Sequence, residues 1–203
     1  MIEWIDSVDE YVLGSTSKRK QLKRLIRYIK RWRDVNFNED VKKKIFSIGL
    51  TVMVKEQYSP NSFSSEVDDD LKALKKTVDS ILEENYIRAP FRTSDYRLHV
   101  RLPKQPKRDV FQHKIDGGRA DGSDLNVGMQ FRNKLLKLQS ELQSTLDEKD
   151  EIKQCKILNK LFGDDFEIPK QDNNSSTKAT STITSGGAAL LSSAGASGTS
   201  QGA

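Results

Sequence analysis

The chain has 203 residues, of which 35% are hydrophobic and 31% charged, with one cysteine and a formal net charge of +5 at pH 7. This is long enough for one domain with a real core, excludes a disulfide within the chain, and includes no apolar run long enough to span a bilayer. The basic excess is concentrated in Lys18 to Arg33, whereas Glu66 to Asp70 is acidic. A polyanionic partner, nucleotide or nucleic acid, is therefore favoured over an acidic lipid surface, because no basic cluster adjoins an apolar anchor.

The amino terminus, MIEWIDSVDEY, is acidic where a secretory signal would be basic and then apolar, so a cytoplasmic location is expected. Ser15, Thr16 and Ser17 then offer caps for a first helix ending near Asn36 to Asn38. Within it Leu22, Leu25, Ile26, Ile29 and Trp32 recur at spacings of three and four and form a buried stripe. Lys20, Lys23, Arg27 and Lys30 repeat the same spacing elsewhere on the cylinder, giving a cationic ridge suited to phosphates. Val41 to Tyr58 contains a nearly continuous apolar stretch, Ile45, Phe46, Ile48, Leu50, Val52, Met53 and Val54, whose β-branched content points toward strand; its total length and polar flanks predict one helix instead, closed by Pro60.

Ser64 or Ser65 is the expected cap of a third helix, with Asp68, Asp69 and Asp70 in its first turn, where the macrodipole favours negative charge. Val67, Leu71, Leu74, Val78, Ile81 and Leu82 form its apolar stripe. From Tyr96 to Leu102 the pattern alternates, which predicts a short strand or extended segment. His99 and His113 have no metal-ligand partner at useful spacing and are expected at the surface. Asp116 to Asp124 reads as a flexible loop lacking the Lys-Ser/Thr ending of a phosphate loop. Two further helices follow as a hairpin. One carries Phe131, Leu135, Leu138, Leu142 and Leu146; the other carries Ile152, Cys155, Leu158, Leu161 and Phe162 and stops at Gly163. Cys155 falls on that apolar pattern and is expected in the core. Beyond Pro169 the composition collapses into serine, threonine, glycine and alanine, which predicts a disordered tail over residues 171–203. The fold class is thus mainly α, with a domain over residues 1–170.

Three stretches in order, LKRLIRYIKRWRD with the following SIGLTVMV, then KRDVF, then IKQCKILNKLFGDDFEIPK, resemble the C-terminal half of a bacterial cyclic dinucleotide synthase. The family is that of the cGAS/DncV-like nucleotidyltransferases, and the likeness is nearest to the cyclic GMP-AMP synthase branch. The resemblance implies the helical lobe of a two-lobed enzyme that grips ATP or GTP in a cleft and makes cyclic nucleotides for antiphage signalling. Lys30 matches a family lysine that approaches the donor triphosphate, Ser47 a serine that also binds phosphate, and Asp109 an acidic position near the base. The chain departs from the family where Lys44, Ile45 and Phe46 replace a proline-serine-serine run before Ser47.

Phosphoryl transfer in this family uses magnesium held by carboxylates on a strand after a glycine-serine turn. Gly14-Ser15 is followed instead by the basic helix. The resemblance therefore implies a catalytic lobe outside this chain, from a truncated or split reading frame beginning at Met1, and no activity alone. It also implies, in some branches, attachment by ubiquitin-transfer-like conjugation proteins through the last residue, here Ala203. The alternative from a different class is a non-catalytic nucleic-acid-binding or adaptor module using the same cationic ridge.

Overall fold

Helix α1 (Thr16–Asn36) is the element against which the others are arranged in the computed structural model, which describes residues 16–59, 69–89, 96–111, 115–116, 119–120, 125–164, 166 and 168–169. Its predicted stripe is buried throughout, Leu22, Leu25, Ile26, Ile29 and Trp32 all facing the core, while Lys20, Lys23 and Arg27 are exposed. The apolar run that follows is not one helix. It divides into α2 (Glu39–Lys44), capped by the Asn38 side chain accepting from the Val41 amide, and α3 (Ser47–Gln57). The break falls at Ile45 and Phe46, both extended. Arg33 fixes it by donating from Nη1 to the Ile45 carbonyl at 2.9 Å and to Ser47 Oγ at 2.8 Å.

Helix α4 (Asp70–Glu83) begins later than predicted. Asp69, not a serine, is its cap, accepting from the Leu71 and Lys72 amides, while Ser64, Ser65, Val67 and Asp68 lie outside the described residues. Asp70 has a role that helix-start electrostatics does not cover. It is fully buried, and its carboxylate accepts from Arg24 Nε at 2.5 Å, Arg24 Nη2 at 2.7 Å, Gln21 Nε2 at 3.1 Å and the Tyr28 hydroxyl at 3.2 Å. Gln21 in turn accepts from the Tyr58 hydroxyl at 2.7 Å. A buried carboxylate is tolerable only with such partners, and this one ties α4 to α1.

Strand β1 (Ile87–Arg88) pairs antiparallel with β2 (Arg97–Leu98), the short strand expected in the alternating segment. At the start of the predicted loop, β3 (Ile115–Asp116) pairs antiparallel with β4 (Arg119–Ala120), so Asp116, Arg119 and Ala120 are in paired strands where a flexible loop was expected. The intervening residues, and His113, lie outside the described residues. Helices α5 (Val127–Asp147) and α6 (Glu151–Phe162) form the expected hairpin, with Phe131, Leu135, Leu138, Leu142, Cys155, Leu158, Leu161 and Phe162 buried. Burial raises the Cys155 thiol pKa, consistent with a core residue. Gly163, at φ +86°, ends α6 in a conformation that favours glycine.

Helices α1, α4, α5 and α6 each touch the next, and α6 returns to α1, while α3 lies across α1 and α4. The last carbonyls of α6 would be unpaired at a helix end. Side chains of α1 close them: Arg31 Nε donates to the Phe162 carbonyl at 2.8 Å and Asn36 Nδ2 to the Leu161 carbonyl at 2.8 Å. The fold is mainly α, and no helix among the described residues is long and apolar enough to cross a membrane. The tail expected over residues 171–203, with Ala203, lies outside the described residues.

Candidate functional site

The cationic side of α1 meets the start of α3 at one corner of the molecule. Lys30 is half-buried there, and its amine pKa is lowered, first by burial and then by the neighbouring Arg33 guanidinium, with Asp34 opposing. A lysine held beside another cation has reason to bind an anion, which would restore the favourable surroundings of its charged form. One turn further along α1, Arg33 is fixed on both sides. Asp34 Oδ1 accepts from its Nε at 2.9 Å and Nη2 at 2.6 Å, while Nη1 holds Ser47 Oγ and the Ile45 carbonyl.

Ser47 is the first residue of α3. The residue before it, Phe46, offers no side-chain oxygen, so the helix start has no side-chain cap. First-turn amides, a positive dipole end and a serine hydroxyl whose oxygen already accepts from Arg33 are thus presented together. The Ser47 hydroxyl proton is left to donate. Arg33, engaged by Asp34, Ile45 and Ser47, fixes the Ser47 hydroxyl at this open helix start, an arrangement suited to phosphate oxygens.

Asp109 is joined to this corner through packing. Phe111, two residues on, is buried and stacks on Phe46 at 5.7 Å between ring centroids. Gly49 makes that fit possible, since a Cβ there would meet the Phe111 ring at 2.3 Å. The Asp109 carboxylate itself is directed at its own turn. Its Oδ1 accepts from the Val100 and Phe111 amides, each at 3.0 Å, and its Oδ2 lies 2.8 Å from His99 Nδ1. His99 is therefore half-buried against an aspartate and not the free surface histidine the alternation suggested. The structure joins Arg33 directly to Ser47, sets Lys30 one turn before Arg33 on α1, and leaves Asp109 as a turn fastener linked to α3 only through Phe111.

Arg33 is the residue that sequence reasoning passed over. The spacing of the ridge, carried three residues beyond Lys30, lands on it. Among the described residues, no group of three or more histidine, cysteine, aspartate or glutamate side chains is placed to hold a metal ion. Asp70 is occupied by Arg24 and Asp109 by backbone amides, so the magnesium implied by the resemblance finds no fitting ligand set among them. No protein-family model matches the sequence, and no curated protein matches it.

Proposed function

We propose that this chain is the helical, nucleotide-gripping part of a nucleotidyltransferase that makes cyclic di- or oligonucleotides from ATP and GTP, working with a companion lobe that carries the metal-binding carboxylates. In this reading Lys30 and Ser47 grip the triphosphate, Arg33 holds Ser47 in position, and Asp109 keeps the adjoining turn in place. The observation that carries it is the 2.8 Å bond from Arg33 to Ser47 at the uncapped start of α3, one turn from the Lys30 amine. That bond links Ser47 to the helix that carries Lys30, which supports reading the two as parts of one phosphate site.

Calorimetric titration of the purified chain with ATP and GTP tests this. Weak binding is expected, falling about tenfold in Lys30→Ala, in line with a charge-assisted contact worth roughly 1.5 kcal/mol at a half-exposed site. No cyclic product is expected from this chain alone. Equal affinity in the parent and Lys30→Ala, or robust cyclisation by the isolated chain, would overturn the reading.

A further inference from the structure

Residues 100–111 form an arm rooted beside the candidate site. Its two limbs are joined by the Val110 amide donating to the Val100 carbonyl at 2.7 Å, the Leu102 amide to the Arg108 carbonyl at 2.9 Å, and a bridge between Arg101 and Asp109. Near its tip the Arg108 amide donates to the Pro106 carbonyl at 2.7 Å. The base is held by the Asp109 carboxylate and by Phe111, buried against Gly49. This is a fixed projection carrying Arg101, Lys104, Lys107 and Arg108, all exposed, and none of the four has a side-chain partner among the described residues. The one acid on the arm, Asp109, is turned to backbone amides and His99.

We propose that this arm is a docking element for the phosphate backbone of nucleic acid. Four unpaired cations on a rigid projection repel one another, and a polyanion relieves that repulsion. The limb length, about three residues or roughly 10 Å, spans a distance over which a duplex presents about six phosphate charges. The arm's one ring, Phe111, is buried at its base, and among its apolar residues only Pro106 is exposed, so it offers neither a ring for base stacking nor a large apolar anchor for a lipid surface. What remains is a row of point charges, which reads a backbone without reading sequence. The proposal does not depend on the nucleotide reading, since none of these four residues belongs to the Lys30 corner.

The test is fluorescence anisotropy of the full chain with a labelled 20-base-pair DNA duplex across a series of salt concentrations. Binding is expected at low salt with a steep salt dependence. Replacing Arg101, Lys104, Lys107 and Arg108 together by Ser is expected to weaken it more than tenfold and to reduce the log–log salt slope by about 3.6, at roughly 0.9 for each of the four phosphates no longer neutralised. A Lys104→Glu, Lys107→Glu variant confined to the tip should lose binding with an unchanged circular-dichroism melt. Four outcomes would each overturn the proposal: no duplex binding by the parent at low salt; full affinity and slope in both arm variants; loss only when Lys20, Lys23 and Arg27 are replaced; or tighter binding to phosphatidylserine vesicles or polyglutamate than to the duplex.

Discussion

Tyr28 illustrates how a single side chain can make stability depend on pH. Its hydroxyl donates to the buried Asp70 carboxylate, and burial followed by that nearby negative charge pushes its pKa well above the usual value. The folded chain therefore keeps this proton at pH values where the unfolded chain, with an ordinary pKa of about 10, gives it up. The stabilisation is complete below that pH and is lost as pH rises through it toward the folded value. Tyr86, raised by burial and by donating to Glu56 Oε2, adds in the same sense. Tyr28→Phe is expected to cost about 1 kcal/mol near neutrality, one hydrogen bond's worth, and to shrink the fall in stability above pH 10. Denaturant unfolding at neutral and alkaline pH measures both; an alkaline fall unchanged in Tyr28→Phe would show the proton to be irrelevant.

Elements were legible where a period was. The stripes of α1, α4, α5 and α6 recur at helical spacing, and every stripe residue on α1 and most on the others are buried. The break between α2 and α3 was not legible, because Ile45 and Phe46 open the apolar run that reaches Val54 and the interruption is imposed by Arg33 and Phe111 from elsewhere in the chain. The start of α4 was misplaced for a related reason: several Ser and Asp residues in a row can all cap, and sequence does not choose among them. In the candidate site, Lys30 and Ser47 came from the resemblance, while the engagement of Asp109 with two amides and His99 depends on three partners that no spacing rule connects.

The joint between β2 and α5 gives the sharpest test at this scale. Gly128 donates its amide to the Tyr96 carbonyl at 3.1 Å, and a Cβ on it would sit 2.2 Å from that oxygen. Alanine gains at most about 1 kcal/mol of helix propensity, against overpacking on rigid backbone that costs roughly 3 kcal/mol. Gly128→Ala should therefore lose stability on urea unfolding, and by more than Gly49→Ala, whose obstacle is the Phe111 side chain. A stabilised Gly128→Ala would contradict the observed contact.

For the molecule as a whole, the ion pair of part-buried Arg24 with buried Asp70 is the main polar tie between α1 and α4. Removing Asp70 takes an acceptor from Arg24, Gln21 and Tyr28 together, so Asp70→Ala is expected to cost about 3 kcal/mol. Exchanging both charged partners, Arg24→Met with Asp70→Leu, should recover part of that. A double variant no more stable than Asp70→Ala would show that the lost Arg24 pairing is not the cause.

The circuit of four helices has one more implication. A bundle whose last member is fastened to its first by Arg31 and Asn36 leaves none of these four helices as a loose flap to peel back. Swinging any one of them outward severs two seams at once, so admitting a molecule between them would sacrifice much of the packing that holds the four together.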